Sequence, residues 1–232
     1  SGKCYMSLAT YNASANKGVC LQNCRRSYKV TDEETGQELI LDNKYVMSPK
    51  DLCTIGSIDK ILNAGINILK IEGRGKSPEY VYTVTKAYKE AVQSVKNKTY
   101  TQKKIKNWLK ELESVYNRGF WKEGYYLGKK AGEWSGKYGS HAKKEKIFLG
   151  VTENYFSKSN IGHFNIQSGT LKEGDQLLVT GPTTGLLKEK VTSLFVNDKK
   201  KNNAKKGDSI TLPISKKIRK NDKLFKVVNT TG

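Results

Sequence analysis

The stretch INILKI at residues 66–71, running on into Glu72-Gly73-Arg74-Gly75-Lys76-Ser77-Pro78, decides how the first half of the chain is read. A short apolar run bounded by turn residues predicts a buried strand. Just before it, Ile55, Ile58, Ile61 and Leu62 fall at helical spacing and stop at Asn63-Ala64-Gly65. Just after it, residues 80–95 return to the helical period, with Val81, Val84, Tyr88, Ala91, Val92 and Val95 on one face. Helix, buried strand, loop, helix is the rhythm of a parallel α/β sheet.

Further upstream, Ser48-Pro49-Lys50-Asp51 predicts a helix start, and residues 38–45 a hairpin arm after the turn at 32–36. Residues 1–28, rich in Asn, Gly, Ser and Cys, read as a loop. Downstream, Ile105, Trp108, Leu109, Leu112 and Val115 give residues 101–118 the apolar stripe of another helix, and residues 119–146 read as an extended connection. Beyond them come six β-rich runs, at 147–151, 161–165, 176–180, 188–195, 209–212 and 224–228. Turns such as Lys172-Glu173-Gly174-Asp175 and Lys206-Gly207-Asp208 separate them, which predicts a small antiparallel β-barrel. The fold class expected is therefore α+β, with parts at 1–95, 96–146 and 147–228.

The 232 residues allow one large or two small domains. Lys and Arg number 42 against 22 Asp and Glu, a formal charge of +20, while 9% of residues are aromatic, so a wholly disordered chain is not expected. Only Arg25, Arg26, Arg74, Arg118 and Arg219 are arginines. So strong a lysine bias fits either a compositional habit of the source or a polyanionic partner. Residues 1–142 and 143–232 each carry a net +10 (24 basic less 14 acidic, and 18 less 8), so the basicity is not confined to a tail. No apolar run approaches the roughly 20 residues of a membrane span, and no signal-like segment precedes Cys4. A soluble, cytoplasmic protein is expected.

The four cysteines, Cys4, Cys20, Cys24 and Cys53, all lie in the first quarter. A reducing compartment and a thiolate metal site are favoured over disulfides, with free thiols as the alternative. The spacing is not that of a zinc ribbon and suits an iron–sulfur cluster at least as well. The loop after the expected strand gathers Lys70, Glu72, Arg74 and Lys76. Ligands bind at the carboxyl ends of strands in parallel α/β folds, and Arg74 offers a planar fork for a carboxylate or phosphate, with Lys76 as a second cation. Alternatively, Glu72 and Arg74 form an ion pair that caps the next helix.

His141 and His163 stand in no familiar motif, and neither is expected to serve a Cys–His or Ser–His pair. Zincin, Walker and dinucleotide motifs are absent. Phe120, Trp121, Tyr125, Tyr126, Trp134 and Tyr138 are interleaved with Lys122, Lys129, Lys130 and Lys137. Such a pattern suits either base stacking or packing between domains.

The motifs Gly2-Lys3-Cys4, Gly18-Val19-Cys20-Leu21-Gln22-Asn23-Cys24-Arg25, Ser48-Pro49-Lys50-Asp51-Leu52-Cys53 and Lys70-Ile71-Glu72-Gly73-Arg74-Gly75-Lys76-Ser77-Pro78 resemble, in order, those of the collagenase-like peptidase U32 family. Residues 147–228 are similar to the second domain of elongation factor Tu, through Gly162, Gly174-Asp175, Gly181-Pro182, Gly207-Asp208 and Asn221-Asp222.

The resemblance implies a TIM-like barrel whose last strand is residues 66–71, in a chain that lacks the other strands and so represents a C-terminal piece or a subunit needing an N-terminal partner. It implies a four-iron four-sulfur cluster, with Cys4, Cys20 and Cys53 at ligand positions and Cys24 at one used in some members. It also implies RNA hydroxylation, with tRNA or another RNA as partner and prephenate as a co-substrate for which Glu72, Arg74 and Lys76 form the binding loop. Two alternatives stand beside this: a collagenase-like peptidase whose β-barrel holds a protein substrate, and a non-enzymatic binding module.

Overall fold

The computed structural model describes residues 4–41, 50–121 and 139–230. They form two units, residues 1–142 and 143–232, considered separately below.

In the first unit, helix α1 (Tyr5–Tyr11) begins directly after Cys4. Strands β1 (Tyr28–Thr31) and β2 (Glu38–Leu41) form the expected antiparallel hairpin. Its turn is closed by Asp32, whose Oδ1 accepts the Glu34 and Thr35 N–H groups at 2.9 Å each. Asp51 does not start a helix. It opens the short strand β3 (Asp51–Leu52), which pairs in parallel with β4 (Phe120–Trp121), while Ser48 and Pro49 lie outside the described residues. A 3-10 turn (Ile55–Ser57) leads into helix α2 (Ile58–Asn63). The helices α3 (Pro78–Lys96) and α4 (Gln102–Glu113) follow, the first with Pro at its N-terminus and the second capped by Thr101.

Ile55, Ile58, Ala87, Ala91, Ile105, Trp108 and Leu112 bury the facing stripes of these helices in one core. The indole Nε1 of Trp108, buried with its ring, donates to Glu90 Oε2 at 3.0 Å.

Residues 66–71 are the main correction. They form no regular element and belong to no ladder among the described residues, and Ile68 is 87% exposed. A strand exists only when a neighbour satisfies its N–H and C=O groups. Leu69 and Ile71 pack on the helical core, while Ile66 and Ile68 face away from it. The described residues form no TIM-like barrel, and β3 with β4 is their only parallel pairing.

The second unit is a large antiparallel sheet. Its eight strands are β5 (Lys144–Phe156), β6 (Ile161–Ile166), β8 (Gln176–Gly181), β9 (Gly185–Lys190), β10 (Phe195–Val196), β11 (Lys199–Lys200), β13 (Ser209–Pro213) and β14 (Lys223–Asn229). They are ordered β11-β10-β13-β6-β5-β14-β8-β9. Strands β7 (Thr170–Lys172) and β12 (Asn203–Lys205) pair separately. The edges β11 and β9 do not join in a ladder, so the sheet is not a continuously hydrogen-bonded barrel. Yet Leu187 of β9, Leu149 of β5, Val196 of β10, and Leu171 and Ala204 of the separate pair share one core.

Three turns reuse one device. Asp175, Asp208 and Asp222 each accept, through Oδ2, the N–H three residues earlier, from Lys172, Lys205 and Arg219 at 2.9, 2.8 and 2.8 Å. Asp222, only 3% exposed, also accepts from Thr184 Oγ1 at 2.5 Å. Gly181 leaves room for that carboxylate, because a Cβ there would stand 1.7 Å from Asp222 Oδ1.

Candidate functional site

The cysteine loop is assembled by polar contacts from α1. Leu21 N–H donates to Ser7 Oγ at 3.1 Å, and Asn23 Nδ2 donates to Thr10 Oγ1 at 3.1 Å and to the Met6 carbonyl at 3.4 Å. Since Cys20 and Cys24 flank Leu21 and Asn23, these bonds draw them toward Cys4 at the start of α1. The proximity registers electrostatically. Burial pushes the Cys24 thiol up, the Arg25 and Arg118 guanidiniums pull it down, and Cys20 and Cys4 raise it further. Cys53 is buried in the helical core, with the Tyr88 hydroxyl 4.0 Å from its Sγ.

None of the four cysteines is in a disulfide, and thiols are the right donor chemistry for an iron–sulfur cluster. The arrangement does not fit one as it stands: among the described residues no three His, Cys, Asp or Glu side chains converge on a metal position.

The loop expected to bind an anion is divided. Glu72 Oε1 accepts the Arg74 backbone N–H at 2.9 Å. The Arg74 guanidinium donates to the Asn16 carbonyl and lies so close to Gly18, at φ +82°, that a Cβ there would meet Nη2 at 2.9 Å. Arg74 thus holds the cysteine loop in place. Lys76 turns the other way. Its ammonium stands 3.7 Å from the centroid of the Tyr116 ring and 5.3 Å from that of Tyr80. Burial lowers its pKa, against the opposing pull of Tyr116 and Asp51.

Tyr116 is the centre of a constellation not expected from the sequence. Burial would raise its phenol, but hydrogen bonds from Arg118 and Arg25 outweigh that and hold its pKa below the ordinary value. Strand β3 brings Asp51 alongside, where its Oδ2 accepts the Arg118 backbone N–H at 2.9 Å. Arg25 Nη2 and Arg118 Nε are buried donors with no acceptor. Two guanidinium donors left unmatched beside a half-buried ammonium make a place for anionic oxygen, since an unpaired buried donor carries a desolvation cost that an oxyanion would relieve. A cavity of about 50 Å³ opens next to it, lined by Asp51, Cys53, Tyr80, Tyr88, Tyr116 and Phe120 among others.

The only sequence hint of this site was arginine scarcity, as two of the five arginines meet here. Of the interleaved aromatics, Phe120 and Trp121 form β4, while the others and their lysines lie outside the described residues.

In the second unit, His163 Nε2 lies 2.7 Å from Ser209 Oγ across β6 and β13, a pairing not expected from the sequence. No carboxylate among the described residues hydrogen-bonds the other ring nitrogen, the contact that orients an imidazole as a general base.

Residues 1–136 match the profile of Peptidase family U32. A protein named collagenase in Porphyromonas gingivalis is 48% identical over 97% of this chain and 54% of its own length. The tRNA hydroxylation protein P1 of Bacillus subtilis is 33% identical over 78% of this chain and 44% of its own length. A 23S rRNA 5-hydroxycytidine synthase of Escherichia coli is 34% identical over 41% of this chain and 14% of its own length. The chain thus spans about half the length of the first two relatives. No described helix is long and apolar enough to cross a membrane.

Proposed function

The chain belongs to peptidase family U32, and we propose that within it the chain is the C-terminal portion of a protein that hydroxylates RNA, most simply tRNA. The observation that carries this reading is the meeting of Arg25, Arg118 and Lys76 around Tyr116, with buried guanidinium donors unmatched and Cys24 close by. A site of this kind suits a small carboxylate co-substrate of the prephenate class: Arg25 and Arg118 supply forked donors, Lys76 a third cation, and Asp51 fixes the Arg118 backbone. Arg74 then acts as a positioning residue, holding the Asn16–Gly18 turn next to the thiols. The Cys4, Cys20 and Cys24 thiols lie next to that turn, but as described they converge on no metal position.

A second reading, peptidase action on a protein substrate, is favoured by the Ser209–His163 contact and by the relatives named collagenase. Gelatin cleavage compared between the wild type and Ser209→Ala separates the two. The RNA reading expects no cleavage that depends on Ser209, and loss of a robust activity in that variant would establish the peptidase.

A further inference from the structure

The second unit carries an exposed feature that neither its core nor the cation site uses. Across β11, β10, β13, β6 and β5 runs one row of residues in register: Lys200, Phe195, Thr211, His163 and Asn154. Its inward counterparts, Val196, Ile210, Phe164 and Thr152, are buried, so the row faces outward. Phe156, further along β5 on the same face, is 45% exposed and Phe195 is 38% exposed. Phe156, His163, Asn197, Asp198, Ser209 and Thr211 line a shallow groove of about 360 Å³, and Phe195 lies beside it in the row, paired with Thr211.

We propose that this groove binds a single-stranded RNA segment by stacking bases on Phe156 and Phe195. The proposal rests on the RNA reading above and adds where and how the strand is held. Each ring leaves more than a third of its surface open on an outward face, and unstacked bases offer flat apolar faces that suit it. Phe195 lies three strand spacings, roughly 14 Å at about 4.8 Å each, from Asn154, and Phe156 stands two residues further along β5, so the rings meet different nucleotides of one strand. Between them His163, Ser209 and Thr211 present hydrogen-bonding groups to sugar or base edges.

The rim supplies charge. Lys199, Lys200 and Lys201 flank the Phe195 end and Lys158 the turn after Phe156, all exposed, against the single carboxylate of Asp198 in the groove. A duplex hides its base faces and gains nothing from the rings, which is why a single strand is the occupant.

The test is fluorescence anisotropy of the 232-residue chain with a labelled mixed-sequence oligoribonucleotide, single-stranded and as a duplex, over a salt series. Phe156→Ala and Phe195→Ala are exposed changes, and thermal unfolding checks that both variants fold. The expected result is preference for the single strand, an affinity loss of about fivefold or more for each ring with an unchanged salt slope, and a shallower slope for the Lys199→Ala/Lys200→Ala/Lys201→Ala variant. Wild-type binding that the phenylalanine variants leave intact overturns the groove while the RNA reading stands. No wild-type binding even at low salt removes the RNA reading and the groove with it. Gelatin binding lost in the same variants, without RNA binding, assigns the groove to protein.

Discussion

The Lys76 ammonium stands 3.7 Å from the centre of the Tyr116 ring, and the Arg118 and Arg25 guanidiniums hold the Tyr116 phenol below its ordinary pKa. One phenol therefore organises three cations from three separate parts of the chain. An arrangement that costs desolvation is sustained either by local partners or by a ligand, and the unmatched Arg25 and Arg118 donors point to the second.

Removing one guanidinium should then weaken anion binding more than it weakens the fold. Arg118→Met and Arg25→Met are each expected to reduce prephenate affinity about tenfold or more by calorimetry, in line with roughly 1.5–3 kcal/mol for a charge-assisted bond. Because burial lowers the Lys76 pKa, binding should decline with rising alkalinity before an ordinary lysine would lose its proton, and Lys76→Met should flatten that decline.

Thiol chemistry reports the same electrostatics. Burial raises Cys24 while Arg25 and Arg118 lower it, so alkylation of Cys24 at pH 8 should be slower than that of an unperturbed thiol. Arg25→Ala should slow it further, as followed by peptide mass spectrometry. Faster alkylation in that variant would mean that the guanidinium shields the sulfur sterically.

Stability at high pH should track Tyr88. Burial, with Cys53 adding, pushes its phenol up to about 12, and its hydroxyl accepts the Thr54 N–H at 3.0 Å. A folded-state pKa above the unfolded value of about 10 means that the native state holds its proton more tightly. This contribution is complete below pH 10 and is lost as pH rises through 12. Tyr88→Phe should cost about 1 kcal/mol at pH 7 and make the decline between pH 10 and 12 shallower, measured by denaturant unfolding.

The pairing of Gly181 with Asp222 makes a packing prediction. Gly181→Ala brings a methyl group to 1.7 Å from Asp222 Oδ1, displacing the carboxylate that holds Thr184 and Arg219 N–H. Destabilisation of about 1–3 kcal/mol is expected. Thr184→Ala, which removes one hydrogen bond without a clash, should cost less.

Local chemistry was legible in the sequence. The Asp-closed turns, the apolar stripes of α3 and α4 and the alternation along β6 and β13 each depend on neighbours a few residues away. Residues 66–71 misled because apolar spacing specifies that a segment is fit for burial, not that a strand lies ready to pair with it. The cation site was hidden for a related reason: Asp51 meets Arg118, and Arg25 meets Tyr116, only after β3 has paired with β4 and the cysteine loop has closed. Arg74 was read as a fork for an anion, yet that fork is taken up by the Asn16 carbonyl, which no spacing rule foretells. His163 and Ser209 meet across two strands that are adjacent only through the sheet order.

The central claim is that this chain serves RNA hydroxylation through the Tyr116 cation site. Its most direct test is nucleoside mass spectrometry of RNA from cells lacking the whole protein, complemented with the wild type or with the Arg25→Met/Arg118→Met variant. The account predicts a hydroxylated pyrimidine nucleoside that disappears on deletion, returns with the wild type and stays absent with a stably expressed variant. A nucleoside profile unchanged by the deletion would contradict it.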